Sequence, residues 1–291
     1  MRTMKIVADS SANIIALDGV SFASAPLKVI TDNCEFVDDT NSSAEEMIAY
    51  FESYKGRSKT SCPNTADWLD AFGEADNIFC VTITSGIALE KHKGQMPAEE
   101  RQARRQALGI PEDHTVLLNL GRLGIEKNLT ELLQLLSMEL THNKKVTLLI
   151  VGDGPARQEL EEMADHLSIR DHVVFTSMVP PDEVHTYYQL GDIFVSASTS
   201  ETQGLTYVEA AANGLPLLCR RDPCLDEVLI EGSNGYEYEA ESEFCSLLDT
   251  ILQNPEWCKA AGAHSKEIAA TFDKGHFADK IEDVYEKVIS E

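Results

Sequence analysis

Two glutamates, Glu201 and Glu209, enclose seven residues in the stretch ETQGLTYVE. Gly204 and Leu205 predict the start of a helix, which places Glu209 in or just after its first turn. A helix start presents unpaired backbone N–H groups and the positive end of the helix dipole, so it attracts phosphate. Carboxylates repel phosphate but accept hydrogen bonds from hydroxyl groups. This spacing favours a nucleotide-sugar, with phosphate at its centre and diols at both ends. The alternative is two solvated glutamates beside an ordinary helix.

Two basic residues, Arg122 and Lys127, occur earlier in the chain, between a predicted strand and a predicted helix. Gly121-Arg122-Leu123 follows the predicted strand Val116–Leu120, and Lys127 precedes a helix predicted near residue 128. Ligands of open α/β sheets bind beyond the carboxyl ends of the strands, which is where a diphosphate would meet both cations. Fixed cations stabilise the charge that a departing diphosphate gains. The alternative is a surface ion pair with Glu126, which contributes little.

A third motif is the stretch VGDGP at 151–155. It is similar to a dinucleotide-binding fingerprint, but it lacks the third glycine, and Asp153 would oppose a pyrophosphate. We interpret it as a tight turn near the ligand. The motif therefore disfavours a nicotinamide-dependent dehydrogenase.

Composition narrows the classes of partner. The 291 residues carry a formal charge of −25, which argues against nucleic acid as a partner and against electrostatic adhesion to anionic membranes. We expect no signal peptide or membrane span, and the longest apolar runs have the length of strands. The seven cysteines include no C-x-x-C pair, so we expect free thiols, a cytoplasmic location and no metal site.

The motifs sit in a repeated alternation of strands and helices, which predicts an α/β fold with a doubly wound parallel sheet. We expect two domains, a smaller α/β fragment over 1–86 and a nucleotide-sugar-binding domain over 87–291. The first is expected to contain a strand over 24–31, and the polar run after Leu89 is expected to form a linker or an exposed helix with Glu99–Arg105 solvated. Predicted strands of the second are Val116–Leu120, Thr147–Val151, Val173–Phe175, Ile193–Ser196 and Leu217–Cys219, with helices near 128–140, 155–167, 181–190, 205–213, 241–253, 255–270 and 275–290.

Four motifs occur in order: NLGRLGIEKN, IVGDGP, FTSMVPPDEV and VSASTSETQGLTYVEAAANGLP. Together they resemble the C-terminal, donor-binding domain of family 4 glycosyltransferases with GT-B architecture, over about residues 86–291. The stretch SETQGLTYVEA is similar to the bacterial branch that includes diacylglycerol glucosyltransferases.

The resemblance implies a retaining hexosyltransferase that takes a nucleotide-sugar, with a UDP-sugar as the expected donor and a membrane glycolipid as a candidate acceptor. It implies that the leaving phosphate acts as the base, that no cofactor or metal is required, and that Glu201, Arg122 and Lys127 carry the catalytic roles. The implied donor contacts are Arg122 and Lys127 to the diphosphate, Glu201 to sugar hydroxyls, Gly204 and Leu205 to the distal phosphate, Glu209 to the ribose diol, and Val179 near the base.

The start of the chain resembles a different family. KIVADSSANI, KGRSKTSCPNTADWLDAF and IFCVTITSG resemble the DegV family, which binds fatty acids, over about residues 4–86. That resemblance implies that Thr60 and Ser61 help to hold a fatty-acid carboxylate, and we add Ser10 as a candidate. The alternative for these hydroxyls is turn and helix-cap chemistry.

Three hypotheses follow: a glycosyltransferase-type donor-binding protein, a fatty-acid-binding protein of DegV type, and a non-catalytic fusion of two fragments. We expect slow or absent sugar transfer, because the first domain does not resemble the acceptor-binding domain of a GT-B enzyme. An apolar stripe in the last predicted helix would favour self-association. Its members are Phe277, Ile281, Val284, Tyr285 and Val288.

Overall fold

The computed structural model describes residues 4–9, 16–17, 19–39, 43–54, 58–61, 65–75, 77–81, 87, 89–92, 94–198, 204–273 and 275. The chain divides into two compact units, Met1–Ser85 and Gly86–Glu291. Among the described residues, no helix is long and apolar enough to cross a membrane. Apart from Gly275, the helix predicted near 275–290, with its apolar stripe, lies outside them.

The first unit contains two small sheets. β1 (Met4–Asp9) lies between β2 (Ser21–Ala25) and β6 (Asn77–Val81) in a parallel sheet. In an antiparallel sheet, β3 (Lys28–Thr31) lies between β4 (Glu35–Val37) and β5 (Ser58–Ser61). The helices are α1 (Ala44–Ser53) and α2 (Thr65–Phe72), and Ala71 of α2 packs against Val7 and Ala25.

The single strand predicted over 24–31 is wrong. Pro26 and Leu27 separate β2 from β3, and the two strands belong to different sheets. Proline has no backbone N–H to donate to a sheet, so it ends β2 and lets the chain turn into the second sheet.

The second unit is built on one parallel six-stranded sheet in the order β12-β11-β10-β7-β8-β9. Counted from the first strand of the unit, this order is 3-2-1-4-5-6, the doubly wound arrangement of dinucleotide-binding folds. The fold class predicted from the sequence is confirmed. The strands are β7 (Thr115–Leu120), β8 (Val146–Val151), β9 (Val173–Phe175), β10 (Ile193–Ser196), β11 (Leu217–Arg220) and β12 (Gly235–Tyr238).

Helices cover both faces of this sheet because its strands are apolar on both sides; every residue of β8 is buried. Leu132, Leu160 and Phe244 fill the core of one face, and Tyr188 and Val208 that of the other. The helices are α3 (Ala98–Ala107), α4 (Leu129–Glu139), α5 (Arg157–His166), α6 (Val184–Tyr188), α7 (Leu205–Ala212), α8 (Glu241–Leu252) and α9 (Pro255–Ala270).

The charged run Glu99–Arg105 forms most of α3, but the prediction of a wholly solvated face is wrong. Arg105 is 5% exposed, donates to the carbonyl of Leu190 at 2.7 Å and pairs with Asp192 at 2.9 Å. Arg101 contacts the same carboxylate at 2.7 Å. Two arginines thus anchor α3 to the loop that precedes β10. Burial lowers the pKa of Arg105, and the Asp192 carboxylate opposes that shift.

Candidate functional site

The chain reverses its direction of travel across the sheet between β7 and β10, which are neighbours in the sheet but three strands apart in the sequence. Ligands of doubly wound folds bind in the crevice that such a reversal leaves outside the carboxyl ends of the strands. Arg122 lies in the loop after β7. Gly204 and Leu205 lie in the connection after β10. The predicted phosphate-binding groups therefore lie in the connections that follow the two strands at this reversal.

Hydrogen bonds between consecutive loops hold this edge of the sheet together. The backbone N–H of Leu123 donates to the Asp153 carbonyl at 3.0 Å, which joins the loops after β7 and β8. The Gly152 N–H donates to the Thr176 hydroxyl at 3.2 Å, which joins the loop after β9. Across the crevice, the Ser198 hydroxyl donates to the Glu126 carbonyl at 3.3 Å. The loops that carry the candidate residues are therefore fixed to one another.

The glycines of the 151–155 motif are needed for this loop packing. A Cβ atom on Gly152 would lie 2.0 Å from the Gly121 carbonyl oxygen, and one on Gly154 would lie 2.5 Å from the Leu123 carbonyl oxygen. Gly152 also has a φ of +135°, in the region that favours glycine. The Asp153 carboxylate accepts from the Gly154 N–H at 2.7 Å. The motif is a tight turn against the Arg122 loop, in agreement with the sequence interpretation.

Arg122 pairs with Glu126, which was the alternative considered from the sequence. Its Nη2 atom lies 3.0 Å from the Glu126 carboxylate, and its side chain is 66% exposed. Burial acts to raise the pKa of the Glu126 carboxyl. Hydrogen bonds from the Glu126 backbone N–H and from Arg122 outweigh that effect and lower the pKa below its usual value. A screened surface pair of this kind is weak. The guanidinium can therefore exchange Glu126 for a more highly charged anion.

Lys127 ends a short 3₁₀ turn, Ile125–Lys127, and is half-buried. The turn is shaped by Asn128, which has a φ of 50° and donates to the Glu131 carboxylate at 2.6 Å. Arg220, the last residue of β11, also binds Glu131, at 2.7 Å. Asn128 and Arg220 thus fix the start of α4, and with it the turn that carries Lys127.

Gly204 is the residue before α7 and has a φ of +59°. A Cβ atom there would lie 2.8 Å from the Tyr207 ring, so both the backbone conformation and the packing require glycine. The Gly204 carbonyl accepts from the Tyr207 N–H at 2.9 Å and so begins the helix. Leu205 and Thr206, as the first residues of α7, have no acceptor for their N–H groups within the helix.

Glu209 is the fifth residue of α7, just after its first turn as predicted. Its Oε2 atom accepts from the Tyr188 hydroxyl at 2.9 Å. Burial raises the pKa of Glu209, while Tyr188 and Lys91 oppose the shift. Tyr188 itself is fully buried, and burial together with Glu209 raises its pKa well above the usual range. The hydrogen bond from Tyr188 to Glu209 joins two different helices, so the spacing within either helix does not predict it.

The other predicted site residues lie in the loop after β9, in β5 or outside the described residues. Val179 is half-buried in the loop after β9 and packs on the core. Glu201 and Ser10 lie outside the described residues. Thr60 and Ser61 belong to β5, where they pair with Val29 and Lys28 of β3, and their side chains are not described.

Residues 100–268 match the family model of the group 1 glycosyl transferases, more than half of the chain. The chain belongs to this family. Residues 3–104 match a second model, described as an uncharacterised protein of the DegV family. Both resemblances drawn from the motifs are confirmed, and the two matches overlap at 100–104.

Two curated relatives carry the same name, alpha-monoglucosyldiacylglycerol synthase. The one from Streptococcus pneumoniae is 37% identical over 176 residues, which are 60% of this chain and 40% of the relative. The one from Acholeplasma laidlawii is 32% identical over 204 residues, 70% of this chain and 51% of the relative. The chain thus spans about half the length, or less, of these relatives.

Solved structures of glycosyltransferases share the fold. HepE from Anabaena, solved in complex with UDP, aligns with a TM-score of 0.64 at 20% identity, over 76% of this chain and 61% of that chain. The C-terminal domain of the group 1 family protein LpcC from Francisella tularensis aligns with a TM-score of 0.55 at 21% identity, over 64% of this chain and 97% of that chain.

Proposed function

We propose that residues 87–291 form a nucleotide-sugar-binding domain and that its donor is a UDP-hexose. The observation that carries the proposal is the reversal of strand order between β7 and β10, with Arg122 in the loop after β7 and the start of α7 in the connection after β10. Two further facts support it. The chain belongs to the group 1 glycosyl transferases, and HepE, which has the same fold, was solved with UDP.

In this proposal the diphosphate lies between Arg122 and Lys127 on one side and the Gly204 and Leu205 amides on the other. The cations and the helix dipole stabilise the charge that develops when the sugar leaves. The transfer retains the anomeric configuration, and the leaving phosphate accepts the acceptor's proton. Glu201 would bind the sugar hydroxyls.

The nucleoside end would be held by Glu209 and Val179. Because the Tyr188 hydroxyl already occupies one oxygen of Glu209, the other oxygen is the one that we assign to the ribose diol. Val179 lies in the loop after β9, to which we assign the base. The names of the two synthase relatives support a membrane lipid as the acceptor, and a glycolipid is the candidate that we propose. We place the protein in the cytoplasm, where cysteines remain as thiols.

A UDP titration of the Arg122→Ala variant tests the proposal. Loss of one charge-assisted contact of about 1.5–3 kcal/mol should weaken UDP binding roughly 10- to 150-fold. Arg104→Ala is the matched control, because Arg104 makes an ion pair with the same i,i+4 spacing to Glu100 on α3. Equal UDP affinity in the two variants would contradict the assignment.

The match of residues 3–104 to the DegV model supports a second candidate function, fatty-acid binding by residues 1–86 through Ser10, Thr60 and Ser61. Mass spectrometry of the purified chain under non-denaturing conditions tests it. Co-purified fatty acid would support this function, and a lipid-free protein that also fails to bind added fatty acid would exclude it. A chain that binds fatty acid but does not bind UDP would favour this candidate over the first.

A further inference from the structure

A second polar cluster lies at the opposite edge of the sheet from the candidate donor site. α4 runs back from the carboxyl end of β7 to the start of β8, and Glu139 is its last residue. His142 follows three positions later, and Asp249 is in the last turn of α8. One nitrogen or oxygen atom from each of the three side chains lies within 4.8 Å of the other two.

Two of the distances within this cluster match those between metal ligands. His142 Nε2 lies 3.4 Å from Glu139 Oε2 and 3.4 Å from Asp249 Oδ1. Zinc holds nitrogen and oxygen ligands in a tetrahedral arrangement at about 2.0–2.2 Å, which separates neighbouring ligand atoms by about 3.4 Å. Small movements of the two exposed side chains are enough to complete such a site.

Glu139 has a buried oxygen that no described residue satisfies. Its side chain is fully buried, and Oε1 accepts from the Asn143 amide at 3.2 Å. Oε2, which faces His142, has no hydrogen-bond partner among the described residues. Burial and the Asp249 charge raise the pKa of Glu139. A buried carboxylate oxygen without a donor is costly, and a bound cation would remove that cost.

His142 points Nε2 at the two carboxylates, and without a metal ion this nitrogen donates to Asp249 Oδ1 at 3.4 Å, because a carboxylate can only accept. The Thr141 hydroxyl donates its proton to the Met138 carbonyl at 2.8 Å, so at 3.5 Å from His142 Nδ1 it acts as an acceptor. The same contact can hold a proton on Nδ1 once a metal ion replaces the proton on Nε2. Outer contacts of this kind orient the histidine and carboxylate ligands of metal sites, and Asn143 plays the same part for Glu139.

We propose that Glu139, His142 and Asp249 bind one zinc ion that joins the end of α4 to α8. An imidazole with two carboxylates suits zinc, whereas calcium and magnesium take oxygen ligands. His142 and Asp249 are 47% and 40% exposed, so the ion enters from solvent and keeps a water molecule at its fourth position. The site is separate from the proposed donor site and does not depend on it.

Zinc titration of the full chain, after treatment with a chelator, tests the proposal. We expect one zinc ion per chain at micromolar or lower concentration and a Tm that rises with zinc concentration. His142→Ala and Asp249→Asn should each weaken binding by more than the roughly 10- to 100-fold caused by loss of an outer contact. Because both side chains are exposed, the variants should fold, and their metal-free Tm checks this.

His166→Ala is the matched control, since His166 is an exposed histidine on α5, outside the cluster. It should bind zinc as the wild type does. A wild-type chain that binds no zinc would overturn the proposal. Equal affinity in the wild type, His142→Ala and Asp249→Asn would also overturn it, because the zinc would then be bound elsewhere, for instance by cysteine thiols.

Discussion

The Glu209→Gln substitution tests the assignment of the ribose most directly. The amide has the shape of the carboxylate, and its oxygen can still accept from the Tyr188 hydroxyl, which lies 2.9 Å from Oε2. The group that turns toward the ribose then changes from a charged acceptor to an amide donor. A hydrogen bond to a charged group contributes about 1.5–3 kcal/mol, so UDP binding should weaken roughly 10- to 150-fold.

The stability of the Glu209→Gln variant should not fall along with its affinity for UDP. Burial raises the pKa of Glu209 in the folded chain, so protonation of Glu209 stabilises the fold, and this stabilisation is lost as the pH rises through the folded-state pKa. At neutral pH the ionised carboxylate therefore carries a burial cost that glutamine lacks. The Tm of Glu209→Gln should equal or exceed that of the wild type, which separates loss of a ligand contact from loss of the fold.

The assay compares UDP with 2′-deoxy-UDP by calorimetry. The wild type should bind UDP more tightly, while Glu209→Gln should bind both nucleotides with nearly equal affinity. The preference of the wild type for UDP over 2′-deoxy-UDP should also decline on acidification. The decline should begin at a higher pH than it would for an ordinary glutamate, because burial raises the pKa of Glu209. Glu112→Gln, at an exposed site before β7, is the control. If Glu209→Gln discriminates between the nucleotides as well as the wild type does, Glu209 does not bind the ribose.

Three further substitutions test other parts of the structure. Glu126→Gln frees Arg122 from a surface pair worth up to about 1 kcal/mol, so UDP should bind up to about fivefold more tightly by calorimetry; weaker binding would refute this competition. Gly152→Ala adds about 1–3 kcal/mol of backbone strain and a clash with the Gly121 carbonyl of the neighbouring loop. Its Tm should therefore fall further than that of Gly109→Ala, where an added Cβ would meet no atom within 4 Å. Arg105→Met breaks a buried ion pair and should cost about 3 kcal/mol in urea unfolding; an unchanged midpoint would show that α3 does not need this anchor.

The fold of the second unit could be predicted from the sequence because its buried strands are continuous apolar runs. β8 is the clearest case, with all six residues buried. β12 (Gly235–Tyr238) was missed because its residues, GYEY, include a glycine and a charge and do not form such a run. It becomes a strand by pairing with β11 at the edge of the sheet. Tertiary pairing of this kind overrides weak local preference.

The site could be predicted less completely, because the missed contacts join residues that are distant in the sequence. The pattern around Gly204 predicted the helix start, but the hydrogen bond from Tyr188 to Glu209 spans 21 positions. Arg105 appeared solvated within its charged run, and its partner Asp192 lies on another element. The cluster of His142 and Asp249 spans 107 positions. Local spacing cannot reveal such contacts.

The central claim is that the crevice between β7 and β10 binds a nucleoside diphosphate, and calorimetric titration of the wild-type chain with UDP and with GDP tests it most directly. We predict one bound UDP per chain, with heat that diminishes as salt screens Arg122 and Lys127. No binding of either nucleotide by a chain that still unfolds cooperatively would contradict the claim.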